Sequence, residues 1–134
     1  MIKFKPRQDF YKIPLEKESI MKYKSPDNML IHAKADSGIF LIQNGTNKTI
    51  GYIGWSRKNN GQLWITCFEV AKEFQGMNYG TELLKYAVSK GCTRLSVNKK
   101  NWSAIQFYIR RGWDIYDETP QMYFMKLKNN KIIL

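Results

Sequence analysis

The sequence predicts an α/β fold, a mixed sheet of about six to seven strands flanked by about four helices. Three observations predict it. Runs of strand character at 39–43, 49–56 and 62–70 are separated by Asn44-Gly45-Thr46-Asn47 and Lys58-Asn59-Asn60-Gly61. Those separators are turn chemistry, so the three runs read as an antiparallel meander. After Val70 the apolar period changes, with Tyr79, Leu83, Leu84 and Ala87 recurring at helical spacing. Strand character then returns at 93–98, 113–116 and 121–128.

Taken in order, the chain opens on Ile2 and Phe4 alternating with Lys3 and Lys5, a short strand ended by Pro6. Pro14 precedes Leu15, Ile20, Met21 and Tyr23, which read as a helix. Ser25 and Pro26 then supply an N-cap and a first-turn proline for a second helix through about Lys34. The meander follows. The helix that begins near Tyr79 ends where Gly91 can terminate it. A strand at 93–98, a helix over 101–111 up to Gly112, and two strands around Pro120 complete the order βααβββαβαββ. No repeat, low-complexity tract or linker interrupts it, so 1–134 is expected to form one domain.

Composition narrows the class. With 43% hydrophobic residues among 134, the chain can bury roughly two thirds of its unfolded surface, which excludes disorder. No apolar run approaches the ~20 residues that cross a bilayer, and charges and prolines break up 1–15, so neither a membrane span nor a secretory segment is expected and the cytoplasm is the expected compartment. Cys67 and Cys92 form no disulfide framework and read as reduced, structural thiols. No His, Cys or carboxylate cluster has metal-ligand spacing, so no metal is expected. The 22 Lys and Arg outweigh 11 Asp and Glu, giving +11. That surplus suits an anionic partner, whether nucleic acid, acidic protein or phosphorylated cofactor, or else a merely solvated basic surface.

Two segments carry chemistry. The first joins the third meander strand to its helix through Gln75, Gly76, Met77, Asn78, Tyr79, Gly80 and Thr81. Helix-start N–H groups point outward with partial positive charge, and glycine lets a phosphate approach, so this turn can cradle an anion; tight turning and helix packing are the structural alternative. In the second segment Asn101, Ile105 and Tyr108 stand at i, i+4 and i+7, placing an amide and a phenol on one helical face about 10 Å apart. An Asn before a helix is also a common N-cap, and a Tyr on an apolar face is commonly core.

In this order and spacing the two segments resemble the GNAT superfamily of acyl-CoA-dependent N-acetyltransferases, over about 39–128. The signature of Gln or Arg, two residues, Gly, one residue, then Gly or Ala falls on 75–80, and a second pattern falls on Asn101, Ala104, Phe107, Tyr108, Gly112 and Trp113. The resemblance implies a strongly twisted mixed sheet that splays open between its fourth and fifth strands. It further implies that Gln75 to Thr81 bind the acetyl-CoA pyrophosphate through backbone amides, that Val70 and Asn101 meet the pantetheine arm, and that Tyr108 is the general acid for the departing thiolate after direct attack by an amine. Asn78 replaces the first signature glycine. If that glycine serves a left-handed backbone, Asn is its best substitute; if it makes room for phosphate, Asn obstructs. Retained binding with altered affinity is the favoured reading, since Gly76 and Gly80 remain.

Glu69 is the one carboxylate within the 62–70 strand and the candidate base, with a salt-bridged or edge-facing glutamate as the alternative. Ser96 stands where some relatives place a carboxylate, and His32, the single histidine, reads as a packing or surface residue. The acceptor is expected to be a primary amine on a small molecule, a protein or aminoacyl-tRNA, with RNA contact one use of the +11. Its pocket is expected from the first two helices and the last strand pair, where Lys12, Lys17, Lys22, Tyr23, Lys24, Tyr116 and Tyr123 lie. Lys99, Lys100, Arg110 and Arg111 flank the cofactor helix and are candidates for the 3′-phosphate of CoA. A non-catalytic CoA-binding or nucleic-acid-binding module is the competing class.

Overall fold

Near-continuous apolar runs at 37–43 and 49–57 bury both faces of the strands that they form, which places those strands at the middle of a covered sheet. The structure is a computed structural model and describes residues 9–15, 17–19, 22–24, 27, 30–32 and 34–133. In chain order the strands are β1 (Phe10–Pro14), β2 (Lys17–Ser19), β3 (Lys22–Lys24), β4 (Leu30–His32), β5 (Ser37–Gln43), β6 (Thr49–Arg57) and β7 (Leu63–Val70). Helix α1 (Tyr79–Ser89), β8 (Cys92–Asn98), helix α2 (Trp102–Arg110), β9 (Trp113–Glu118) and β10 (Met122–Leu127) follow.

Seven strands make one mixed sheet in the order β1-β5-β6-β7-β8-β10-β9, with β7 and β8 parallel and the other neighbours antiparallel. The parallel pair needs a crossover, and α1 supplies it. Leu83, Leu84 and Ala87 of α1 are fully buried with Ile53, Leu95 and Met125 of the sheet, and Ile105 and Tyr108 of α2 join the same core. Burial of each large side chain contributes about 1.5–3 kcal/mol. A smaller cluster of Phe40, Ile42 and Tyr52 lies under Tyr11, Ile13 and Leu15.

From residue 37 onward the observed elements follow the expected ones within two residues at every boundary, and both helices end at glycines of positive φ, Gly91 and Gly112. The N-terminal third differs. The expected opening strand at 2–5 lies outside the described residues. Where two helices were expected, the chain forms β2, β3 and β4, a separate three-stranded antiparallel sheet, so two α-helices are present among the described residues and not four. The spacing of Leu15, Ile20, Met21 and Tyr23 never sustains a helical stripe, whereas Lys22, Tyr23 and Lys24 already alternate with period two, and Tyr23 pairs with Ile31. Ser25 and Pro26 lie outside the described residues. No helix among the described residues is long and apolar enough to cross a membrane.

Candidate active site

The site begins with an extra residue. Gly54 pairs with Cys67 while Trp55 pairs with Ile65, so Thr66 bulges out of β7. A bulge bends its strand and increases its local twist. Pairing with β8 stops at the same point, at Ile65 opposite Leu95, and the two parallel strands diverge beyond it. The resulting gap holds a cavity of about 650 Å³ bounded by the Trp64 to Phe68 wall of β7 and by Ser96 and Asn98 of β8. A second cavity, about 430 Å³, lies between the end of β7, the 75–81 turn and α2. Phe68, Ala104 and Tyr108 line both, so Tyr108 stands at the junction.

Tyr108 is held rigidly there. Its ring packs 6.3 Å from Phe68, 5.6 Å from Phe107 and 6.1 Å from Trp113, centroid to centroid. Burial pushes its phenol well above the usual range, so it stays protonated across neutral pH. Asn101, seven residues earlier, is the N-cap of α2, with Oδ1 accepting from Ala104 N at 3.4 Å. Its side-chain NH₂ retains donors for a ligand, and it lines the 650 Å³ cavity.

The 75–81 turn has three separate reasons for its residues. Gly76 adopts φ +80, and a Cβ added to it would meet nothing within 4 Å, so it serves conformation and not space. Asn78 adopts φ 67, ψ 10, so the position of the first signature glycine holds a left-handed backbone, which Asn supplies. Gly80 is helical, and a Cβ there would come within 3.4 Å of the Phe107 ring, narrowing the groove. Helix α1 starts with no side-chain cap from Asn78, so the first-turn amides at Gly80 and Thr81 face outward with the positive end of the helix dipole. Gln75 donates its Nε2 to the Val70 carbonyl at 3.0 Å and locks the turn to the strand end. Met77 is exposed, whereas Tyr79 is buried and donates its hydroxyl to Asp9 at 2.5 Å.

Arg111 closes the groove from the α2 side. Its Nε donates to Thr81 Oγ1 at 2.9 Å, its Nη1 donates to the Phe107 carbonyl at 3.0 Å, and its guanidinium stacks 3.7 Å from the Phe107 ring. Uncapped amides, a floor that glycine keeps open and an arginine together fit a pyrophosphate. Glu69 lines this same cavity and accepts from the Tyr52 hydroxyl at 2.7 Å.

Other expected residues lie elsewhere. Lys12 sits over the Phe10 and Tyr86 rings, and Tyr116 lies between Arg94 and Lys126. Lys99 pairs with Glu118 and covers Tyr123. The side chains of Lys17, Lys22, Tyr23, Lys24 and His32 lie outside the described residues. The mouth of the 650 Å³ cavity is formed instead by Lys34, Asp36 and Lys58, which no sequence motif marked. Cys67, on its wall, has its thiol pushed up to about 12 by burial, so it is no thiolate nucleophile at neutral pH. Among the described residues no three His, Cys, Asp or Glu side chains group together as a metal site.

Comparison with known proteins decides the family. The family model for the acetyltransferase (GNAT) family matches residues 7–113. The chain belongs to the GNAT acetyltransferase family. No curated protein matches this GNAT chain significantly. Solved structures similar to it include Ard1 from Thermoplasma volcanium, with 25% identity and TM-score 0.57, covering 71% of this chain and 70% of that one. The PaiA N-acetyltransferase from Thermoplasma acidophilum in complex with coenzyme A has 24% identity and TM-score 0.57, covering 66% and 59%. Arabidopsis thaliana Naa50 in complex with the bisubstrate analogue CoA-Ac-MVNAL has 23% identity and TM-score 0.51, covering 66% and 70%. The match thus spans less than two thirds of the PaiA chain's length.

Proposed function

We propose that this GNAT protein transfers an acetyl group from acetyl-CoA to a primary amine by direct attack. The observation that carries the reading is the junction: two cavities meet at Phe68, Ala104 and Tyr108, one fitted to a pyrophosphate and one open to an acceptor. The coenzyme A held by the PaiA structure and the bisubstrate analogue held by Naa50 support it.

In this reading the backbone of Gln75, Gly76, Met77, Asn78, Tyr79, Gly80 and Thr81 cradles the pyrophosphate, and Arg111 adds positive charge to it. The Val70 backbone and the Asn101 amide hold the pantetheine arm. When bound, acetyl-CoA supplies an acetyl group activated as a thioester. The amine enters from the 650 Å³ side, forms the N–C bond as the C–S bond breaks, and leaves its extra proton on Glu69, which lines the 430 Å³ cavity across the junction, directly or through one water. Tyr108 gives its proton to the departing sulfur. No group on the protein is acylated.

Titration of acetyl-CoA and transfer to an amine panel test this. Gly80→Glu puts bulk and negative charge into the groove and should abolish acetyl-CoA binding while the protein stays folded; unchanged affinity would remove the groove assignment. Glu69→Gln should lower transfer to the amine while leaving acetyl-CoA affinity unchanged, and unaltered transfer would hand that proton to solvent. Tight acetyl-CoA binding with no transfer to any amine would favour a CoA-binding module instead.

A further inference from the structure

A groove of about 510 Å³ opens beside the acceptor-side cavity and shares Lys58, Trp64 and Ser96 with it. The two form one channel, which starts at Tyr108 and ends at the 57–61 hairpin between β6 and β7. The far end is cationic. Arg57 and Lys58 line it and Lys34 lines the adjoining cavity; none of them is in an ion pair among the described residues, and Arg57 donates Nη1 to the Gly61 carbonyl at 2.6 Å. The one acid lining it, Asp36, already accepts from the Arg57 backbone N–H at 3.3 Å.

The channel also has a length. Phe68 touches the Tyr108 junction, and Trp64 reaches the cationic end, where it packs edge-on against Phe124 at 6.1 Å. Phe68 lies four residue steps from Trp64 along β7, at most about 13 Å with the Thr66 bulge between them. That is the reach of about four extended peptide residues. Along this wall Trp64 Nε1 and Thr66 Oγ1 are buried with no hydrogen-bond partner. A chain carrying its own amides and carbonyls can satisfy such groups after a small side-chain rotation, whereas an aliphatic amine cannot.

We propose that the acceptor is an extended peptide whose terminal amine reaches Tyr108 and whose anionic side group, carboxylate or phosphate, lies about four residues along, between Arg57 and Lys58. The proposal rests on the acetyl-transfer reading. It assigns Arg57 and Lys58, whose charges meet no carboxylate in an ion pair among the described residues, to recognition, where they reward an acidic chain and repel a basic one.

The test uses five-residue peptides with free terminal amines and Asp, phosphoserine, Ser or Lys as the fourth residue, at saturating acetyl-CoA. The Asp and phosphoserine peptides should exceed the Ser peptide by about five- to tenfold in kcat/KM, with the Lys peptide lowest and the spread shrinking as salt is raised. A higher value for phosphoserine than for Asp identifies phosphate as the preferred anion, and the reverse identifies carboxylate. Combining Arg57→Glu with Lys58→Glu should invert the order without changing the KM for acetyl-CoA. Lys58→Gln alone should halve the preference or more, and serves if the double variant fails to fold. Equal transfer to all four peptides, or transfer to an aminoacylated RNA oligonucleotide far above every peptide, overturns this acceptor while acetyl transfer stands. Transfer to no amine at all overturns both.

Discussion

At residue 78 the chain turns left-handed, and the side chain chosen there shows how a signature can change without losing its geometry. Asn is the L residue that enters this region at least cost, so φ 67 at Asn78 preserves the turn that points the α1 amides outward. Asn78→Ala should cost about 1 kcal/mol of stability, read as a lower Tm, while Asn78→Gly should hold or raise it. A Tm indifferent to both would mean that the turn relaxes to another conformation. This residue was legible in the sequence because a local steric rule governs it. Tyr108 was legible for a related reason, since its spacing from Asn101 and Ile105 is a property of one helix. Lys34, Lys58 and Trp64 were not. They meet only because β7 and β8 diverge, and no local period records a gap between strands that are about thirty residues apart in sequence.

Among the elements, α1 opens onto the 430 Å³ groove proposed to hold acetyl-CoA and is tied to the opening of the fold. Tyr79, its first residue, packs edge-on against Phe10 of β1 at 6.2 Å and against Phe74 at 6.0 Å, and its hydroxyl reaches Asp9. Hydrogen bonds to charged groups contribute about 1.5–3 kcal/mol, so Tyr79→Phe should lower unfolding stability by that order and loosen the turn before it. Denaturant unfolding reads the loss, and an unchanged midpoint would show the bond to be immaterial. The strands from β5 onward and both helices were legible because their burial patterns are set by one dominant core. The segment at 17–32 was not. A first-turn proline and a serine outweighed an apolar spacing that fits no helix, and the short strands there are specified by pairing with one another, as Tyr23 with Ile31.

At the scale of the whole molecule, a sheet that splays at one bulge yields two cavities from one core. One part is the aromatic packing of Phe68, Phe107 and Trp113 around Tyr108, and the other is the rim, where part of the charge surplus of +11 lines the proposed acceptor channel at Lys34, Arg57 and Lys58. Under the proposed acetyl transfer, this division lets one reaction centre serve acceptors selected by charge. It also makes Tyr108 the point on which the account turns, because it is the polar side chain facing both cavities. The most direct measurement compares wild type with Tyr108→Phe for acetyl-CoA affinity by calorimetry and for kcat on one good amine. Affinity and Tm should be the same in the two proteins, with kcat lower by about 10²-fold, the scale of general acid assistance. Equal kcat in the two proteins would contradict it and leave Tyr108 as a packing residue.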